Sequence, residues 1–310
     1  MNQRAFSMGG LLYSPANNTD VAHHILAGDW PCLTSVCLCL EDSIRDCAVD
    51  EAEAQLVRTL TTLSMSNSPL PMLFVRVRGT EHLRHIHQRL SGLEGVLTGY
   101  VFPKFDTSNA EEYLSELERF DVPLCAMPIL ESRRIARIET RVQELTAIRE
   151  IIDRHRDLIL NIRVGGNDFC NLFGLRRSVS QSVYDLGVVR DILVDIVNMF
   201  SDEYVVSGPV WEYYGGDWAK GLKRELELDI ANGFIGKTAI HPCQLPVIFE
   251  SLKVSRADYD DARRILHWSD DQRGVAGSAD GERMNEVKCH GRWAERIMMR
   301  ARAYGLRGEK

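Results

Sequence analysis

Two apolar segments of the chain each lead to an acidic side chain. The segment VPLCAMPIL (122–130) is followed directly by Glu131, and LILNIRV (158–164) is followed by the turn GGND, which ends at Asp168. Two carboxylates without a neighbouring His or Cys form a hard-oxygen ligand set. Mg²⁺ favours such a set, since it takes one or two protein carboxylates and completes its octahedron with water and substrate. The pattern therefore predicts Glu131 and Asp168 as metal ligands.

A structural interpretation of these two acids remains open at this point. Acids at strand ends are common helix-capping groups, so Glu131 can cap the helix that follows it. Asp168 can instead pair with Arg163 or Lys104. Only the positions of the side chains in the fold distinguish these alternatives from a metal site.

Charged side chains follow most of the other apolar segments as well. They are Glu41 and Asp42 after SVCLCL (35–40), Arg76 and Arg78 in and after MLFVRV (72–77), Lys104 after GYVFP (99–103), and His241 after FIGKTAI (234–240). No nucleophile is paired with His241 in the sequence, so we favour strand-end hydrogen bonding for it over catalysis. The remaining side chains are candidates for one site only if all these segments end at the same edge of a sheet.

The arrangement of these segments predicts an α/β fold, a (β/α)8 TIM barrel. The eight apolar segments are nearly continuous, as in strands covered on both faces, and amphipathic helical patterns such as 48–63, 133–152, 185–200 and 218–233 lie between them. Eight alternating units close into a barrel, whereas an open doubly wound sheet usually has fewer strands. A barrel places its active site at the C-terminal ends of the strands, which is where the charged residues stand.

The domain boundaries follow from a change in composition. Residues 1–268 form the predicted barrel, and residues 269–310 form a C-terminal extension. The extension consists of a polar, Gly-rich loop (269–286) and a final helix (287–306). The extension is a candidate to pack on a neighbouring subunit.

Composition excludes several classes of protein. The net charge of −7 argues against a nucleic-acid or anionic-membrane partner. The sequence contains no run of about twenty apolar residues, so we predict no membrane span. The N-terminus lacks the pattern of a signal peptide. The cysteines lie mostly in apolar segments, which is typical of reduced, cytoplasmic proteins. Cys32, Cys37, Cys39 and Cys47 contain no paired CxxC, so we predict core packing for them and not a zinc site.

Several strings in the sequence resemble one known family. They occur in the family's order, namely LEDSI (40–44), VRVRG (75–79), VFPK (101–104), PILES (128–132), GGNDF (165–169), GFIGKTAIHPCQ (233–244) and SADGERM (278–284). The chain thus resembles the HpcH/HpaI aldolase and citrate lyase β-subunit-like family. It looks most like a divergent branch, similar to the carbon–carbon bond lyase barrels found beside tellurium-resistance genes.

The resemblance implies a chemistry and a set of roles. It implies a TIM barrel that uses Mg²⁺ to make or break a carbon–carbon bond in a small 2-oxo acid or its acyl adduct of coenzyme A type. Glu131 and Asp168 match the family's metal ligands, and Arg76 matches the residue that binds the substrate carboxylate. Glu41 and Asp42 match the acidic pair that orders water at the metal. Asp280 matches an acid that reaches a neighbouring subunit, which implies a homotrimer or larger homo-oligomer.

Departures from the family's pattern leave the thioester and the substrate open. Arg78 stands where the family prefers Asn, and Ser132 replaces a Thr and is followed by Arg133 and Arg134. Arg76, Lys104 and Arg78 are the candidate substrate-binding residues. The extra arginines either bind another anion such as phosphate or are solvated.

Two other functions remain as alternatives. One is a non-catalytic barrel that serves as a subunit or scaffold in an assembly. The other is a phosphate-group enzyme on the same barrel, for which support is thin because GGND lacks the spacing of a phosphate-binding loop.

Overall fold

The computed structural model of the protein describes residues 2–269 and 272–308. Eight parallel strands form one sheet in the order β7-β6-β5-β4-β3-β2-β1-β8. The strands are β1 Gly10–Pro15, β2 Ser35–Cys39, β3 Met72–Arg76, β4 Gly99–Phe102, β5 Cys125–Leu130, β6 Ile162–Val164, β7 Val206–Ser207 and β8 Lys237–Ala239. A parallel bridge between Gly208 and Lys237 joins the two edge strands, so the sheet closes. The predicted TIM barrel is confirmed.

Helices cover the outside of the barrel between the strands. They are α1 Gln3–Phe6, α2 Val21–Ala27, α3 Val49–Ser64, α4 Thr80–Arg89, α5 Ala110–Glu118, α6 Arg133–Ala136, α7 Ile138–Arg154, α8 Gly166–Leu172, α9 Gly187–Phe200, α10 Trp218–Ala231, α11 Gln244–Leu252, α12 Arg256–Leu266 and α13 Val287–Tyr304. Short 3₁₀ turns lie at Asp46–Ala48, Glu94–Val96, Arg156–Leu158 and Val183–Asp185. None of the helices in the described part of the chain is long and apolar enough to cross a bilayer.

Apolar side chains fill the barrel and close its N-terminal end. Along each strand the side chains alternate between the inside and the outside of the barrel, and the inward-facing Leu11, Cys37, Phe74 and Val101 pack together. The short helix α1 adds Phe6 to the same cluster. Apolar side chains therefore close the N-terminal end of the barrel, and the polar residues of a functional site must lie at the C-terminal end.

The predicted helix over 133–152 is in fact two helices. The chain is extended at Arg137, with φ −80° and ψ 129°, and this residue separates α6 from α7. The buried Arg141 guanidinium donates hydrogen bonds to the carbonyls of Ile135 and Ala136, both at 2.9 Å, which the break leaves without helical partners. An arginine one turn into α7 thus stabilises a break that periodicity alone does not reveal.

The C-terminal extension packs on its own chain. The predicted loop contains an antiparallel hairpin, β9 Val275–Gly277 and β10 Met284–Glu286, and Arg283 joins it to Asp261 on α12 at 2.7 Å. Helix α13 packs against α1, α11 and α12, and the Tyr304 hydroxyl accepts a hydrogen bond from the Gly9 amide at 2.9 Å. Contact with a neighbouring subunit stays a prediction.

Candidate active site at the barrel mouth

The C-terminal ends of the strands surround a cavity of about 430 Å³. Its polar lining comes from β1, β2, β3, β5, β6 and β8 and from the turns that follow them. These side chains are Tyr13, Ser14, Cys39, Asp42, Ser43, Arg76, Glu131, Arg163, Asn167, Asp168 and Thr238. A cavity of this size suits a small molecule with a few polar groups.

The structure brings Glu131 and Asp168 together at this mouth. Glu131 follows β5 directly and is 5% exposed, and Asp168 lies in the first turn of α8. Burial raises the pKa of Glu131 to about 8, and the charge of Asp168 and a hydrogen bond shared with it act in the same direction, against Arg76. Two carboxylates this close compete for one positive charge, either a proton or a cation.

A glycine makes the close approach of these two acids feasible. A Cβ atom at Gly165 would lie 2.3 Å from both Cβ and Oε2 of Glu131. The turn between β6 and α8 therefore passes directly over the Glu131 side chain, and no larger residue fits there. The GG pair of the GGND turn is thus a packing requirement of the acid site.

Neither structural alternative for the two acids is observed. The Glu131 carboxylate accepts a hydrogen bond from the Lys104 backbone amide at 2.9 Å, and no side chain caps α6. Within the described part of the chain, Asp168 forms no ion pair, since Arg163 bonds to Asn161 and Thr238 and the Lys104 ammonium bonds to Glu41. Glu131 and Asp168 therefore face the cavity as an acid pair that has room for a cation.

Arg76 is surrounded by acids of its own chain. Its Nη2 atom lies 2.7 Å from Glu41, 3.0 Å from Asp42 and 3.3 Å from Glu131. Glu41 is buried, and its Oε2 atom also accepts the Asp42 backbone N–H at 2.7 Å. Arg76 lines the cavity, but one end of its guanidinium already holds three carboxylates in place.

Asp42 lines the cavity together with Glu131, whereas Glu41 does not. Burial opposes its charge, but hydrogen bonding to Glu41 and the cations Arg76 and Lys104 outweigh burial and lower the pKa of Asp42. It therefore stays ionised beside a Glu131 whose proton is held more tightly. The site combines a charged acid and an acid that titrates near neutrality.

Lys104 contributes to the acid cluster mainly from outside the cavity. Its ammonium lies 2.7 Å from Glu41, and this hydrogen bond raises the pKa of Lys104. Its backbone has φ +49°, which is uncommon for a residue with a side chain, and its amide points at Glu131. Lys104 does not line the cavity, so a role in substrate binding stays a prediction.

The other predicted anion-binding arginines are held away from the cavity. Arg78 donates to the carbonyls of Leu40 and Ile44, both at 3.2 Å, and pairs with Asp46. Arg134 pairs with Glu144 at 2.8 Å, and neither it nor Arg133 lines the cavity. The Arg78 side chain turns back to the loop after β2, so its role in substrate binding, like that of Lys104, stays a prediction.

His241 and Asp280 also lie outside the cavity lining. His241 is exposed, with Nδ1 3.0 Å from the Cys243 sulfur and its ring stacked on Tyr214, so it is not a core residue. Asp280 is exposed in the hairpin turn, where it accepts hydrogen bonds from Ser278 and from the Glu282 amide. In its own chain Asp280 orders this turn, and its contribution to a neighbouring subunit stays a prediction.

Several polar residues of the cavity were not predicted as site residues from the sequence. They are Tyr13 and Ser14 on β1, Cys39 on β2, Ser43 after β2, Arg163 on β6, Asn167 on α8 and Thr238 on β8. Arg163 carried a signal, because a charged residue in the middle of an otherwise apolar strand needs a reason to be buried. Tyr13 and Thr238 have no such signal, since both residue types are common in strands.

The residues present fit a magnesium ion. Among the residues that the structure describes, no three His, Cys, Asp or Glu side chains converge to hold a metal by themselves. Mg²⁺ needs no such set, because two carboxylates and several waters or substrate oxygens complete its shell. Glu131 and Asp168 supply those two carboxylates, and the cavity beside them leaves room for the rest.

Comparisons with known proteins agree with this architecture. The family described as C-C_Bond_Lyase of the TIM-Barrel fold matches residues 2–306. No curated protein matches the sequence.

Solved structures with the same fold include several citrate lyase proteins. The protein CitE from Mycobacterium tuberculosis, in complex with magnesium, acetoacetate and coenzyme A, is 21% identical with a TM-score of 0.66 over 96% of this chain and 99% of its own. A citrate lyase from Burkholderia xenovorans is 15% identical with a TM-score of 0.72 over 98% of this chain and 94% of its own. RipC from Yersinia pestis is 18% identical with a TM-score of 0.57 over 82% of this chain and 99% of its own. At these identities the likeness shows a shared fold.

Proposed function

Because the chain belongs to the C-C_Bond_Lyase family of the TIM-barrel fold, we propose that it is a Mg²⁺-dependent carbon–carbon lyase or aldolase. Its substrate is a small 2-oxo acid or an acyl adduct of coenzyme A type. The single observation that carries the proposal is the acid pair Glu131 and Asp168 at the edge of the cavity, together with the raised pKa of Glu131. Burial raises this pKa most and the charge of Asp168 adds to it, and a bound divalent cation would favour the ionised form of both acids.

The proposed chemistry assigns a task to each group of residues. Glu131 and Asp168 would hold Mg²⁺, which when bound acts as a Lewis acid and stabilises the negative charge that develops on the keto oxygen as the carbon–carbon bond breaks. Arg76 holds Glu41, Asp42 and Glu131 in fixed positions, so these acids do not need to reorganise during the reaction. Asp42, ionised at the cavity wall, orients water or a substrate hydroxyl.

Ligands of structural neighbours support the proposed substrate class. CitE structures of M. tuberculosis contain magnesium with oxaloacetate, pyruvate or acetoacetate, one of them together with coenzyme A. A 430 Å³ cavity accommodates the oxo-acid part of such ligands. A coenzyme A moiety would have to extend outside the cavity.

Conservative substitution of the acid pair tests the proposal. We expect Glu131→Gln and Asp168→Asn each to abolish Mg²⁺ binding and to reduce turnover by at least about 10²-fold, while the fold remains intact. Isothermal titration with MgCl₂ measures binding, and circular dichroism checks the fold. Asp195→Asn is the matched control, because this carboxylate pairs with Arg141 outside the cavity. Full metal affinity in either acid-pair variant would contradict the assignment.

A ligand screen separates the enzyme from a scaffold. A ligand that binds the folded protein raises its unfolding temperature by mass action. We expect oxaloacetate, pyruvate or glyoxylate to stabilise the protein only when Mg²⁺ is present, with acyl-CoA compounds as a further arm. Weak stabilisation by metal alone, with no additional effect of any oxo acid, would favour the non-catalytic barrel.

A further inference from the structure

Arg163 is a buried guanidinium that has no acidic partner. It lies in the middle of β6, is 2% exposed and lines the cavity. Its Nη2 atom donates to the Thr238 hydroxyl at 2.6 Å, and its Nη1 atom donates to the Asn161 side chain at 3.3 Å. Its Nε atom has no hydrogen-bond partner among the described residues, and none of their carboxylates lies within ion-pair distance of the guanidinium.

Most of the other buried arginines have a carboxylate partner, which Arg163 lacks. Arg76 pairs with three carboxylates, Arg141 pairs with Asp195 at 2.8 Å, and Arg177 pairs with Glu225 at 3.2 Å. Arg300, which also has no acidic partner, donates from Nε and Nη2 to the Leu252 carbonyl and does not line the cavity. Arg163 alone among these five lines the cavity without an acidic partner. Burial of a charge without a countercharge is costly, and at the cavity a ligand can supply the countercharge.

Arg163 and Glu131 come from neighbouring strands, but their side chains reach toward different strands of the barrel. The guanidinium reaches from β6 to Thr238 on β8, whereas Glu131 is held by Arg76 on β3 and by Lys104 after β4. Tyr13 on β1 lies close enough to Arg163 and Arg76 for both cations to act on its hydroxyl. β1 and β8 contribute no acid to the cavity lining, so the Arg163 guanidinium points to a part of the wall where an anion meets no carboxylate.

We propose that Arg163 binds a second carboxylate of the substrate, at the end away from the metal. The substrate is then a 2-oxo acid with two carboxylates. One carboxylate lies with the keto oxygen beside Glu131 and Asp168, and the other accepts hydrogen bonds from the Nε and Nη groups of Arg163. This geometry is the bidentate pairing that arginine favours. The inference rests on the proposed function, and it adds the class of oxo acid and the residue that selects it.

Comparison of two ligands in the presence of Mg²⁺ tests the role of Arg163. Pyruvate carries one carboxylate and oxaloacetate carries two, and both are titrated into the full-length protein by calorimetry. We expect the wild type to prefer oxaloacetate by at least about tenfold, as for one charge-assisted hydrogen bond. Arg163→Gln should reduce this preference to about one while pyruvate binding stays within about twofold. Arg163→Lys, which keeps the charge but not the bidentate geometry, should give an intermediate preference.

Controls separate recognition from folding. Arg300→Gln is the matched control, because it removes a buried arginine away from the cavity and should leave the preference unchanged. If Arg163→Gln does not fold, Arg163→Lys carries the test. An equal loss of pyruvate and oxaloacetate binding in the Arg163 variants would overturn the assignment to the distal carboxylate. An unchanged preference would overturn anion recognition by Arg163.

The two proposals fail in different ways. If the wild type binds neither oxo acid in a Mg²⁺-dependent manner, the proposed function fails and the inference fails with it. If the wild type binds Mg²⁺ and pyruvate but shows no preference for oxaloacetate, only the inference about Arg163 fails.

Discussion

The barrel contains two clusters of charged residues, one closed off from the cavity and one open to it. The sealed cluster consists of Arg177, Glu225, Asp229 and Lys237, each at most 2% exposed. The Lys237 ammonium lies 2.9 Å from Glu225 and 2.7 Å from Asp229, and the two cations balance the two acids. None of the four lines the cavity.

The mouth cluster is unbalanced and open. It consists of Glu41, Asp42, Glu131 and Asp168 with the two cations Arg76 and Lys104, so acids exceed cations by two. Burial and the proximity of Asp168 raise the pKa of Glu131 to about 8. Ionisable groups that stabilise a fold are paired and closed off, whereas groups that await a ligand remain short of countercharge. A divalent cation bound at the mouth would favour the ionised form of both Glu131 and Asp168.

The largest effect should come from breaking the sealed cluster. Lys237→Met leaves Glu225 and Asp229 buried without their shared cation, so we expect a loss of about 3–5 kcal/mol in the free energy of unfolding. Urea denaturation measures the loss. Mg²⁺ should not restore the lost stability, because this cluster has no access to the cavity.

The pH dependence of this variant gives a second measurement. Burial raises the pKa of Asp229 above its ordinary value of 3.8. An acid whose pKa is raised in the folded state binds a proton more readily there than in the unfolded chain, so its protonation favours folding as pH falls. The loss in Lys237→Met should therefore shrink as pH falls from the raised pKa toward 3.8. A loss that grows with acidity would show that the carboxylates are not the source of the instability.

A smaller effect with the opposite metal response should come from the mouth cluster. Arg76→Met removes the hydrogen bonds to Asp42 and Glu131 and the ion pair with Glu41, and we expect a loss of about 1.5–3 kcal/mol in the free energy of unfolding. Millimolar Mg²⁺ should recover part of this loss, because a cation replaces the missing charge and binds only the folded state. Thermal unfolding with and without MgCl₂ compares this variant directly with Lys237→Met. Equal behaviour of the two variants would remove the distinction between the clusters.

Local rules predict the barrel and the position of the acid pair from sequence. Strand-end residues of a parallel barrel share one mouth, so Glu131 and Asp168 need no distant information to be placed together. Long side chains are different, because their direction depends on neighbours in space. Arg78 follows a strand, but its side chain turns back to the Leu40 and Ile44 carbonyls. The position of Arg163 in an apolar strand predicts a core residue, but its side chain lines the cavity. The helix is interrupted at Arg137, and Arg141 stabilises the interruption by hydrogen bonds to the Ile135 and Ala136 carbonyls. The periodicity of apolar residues does not predict this contact.

The smallest predicted effect tests whether packing alone sets the geometry of the acid pair. Gly165→Ala places a methyl group 2.3 Å from the Cβ and Oε2 atoms of Glu131, so the turn or the Glu131 side chain must shift and the geometry of the acid pair changes. We expect Mg²⁺ affinity to fall about tenfold, or about 1.4 kcal/mol, since a preorganised ligand is displaced but no charge is removed. Gly187→Ala is the matched control, because it begins α9 and no atom lies within 4 Å of its added Cβ. If both variants bind Mg²⁺ as the wild type does, the charge excess of the mouth cluster suffices without fixed geometry. If only Gly165→Ala loses affinity, the distance between the two acids is as necessary as their charge.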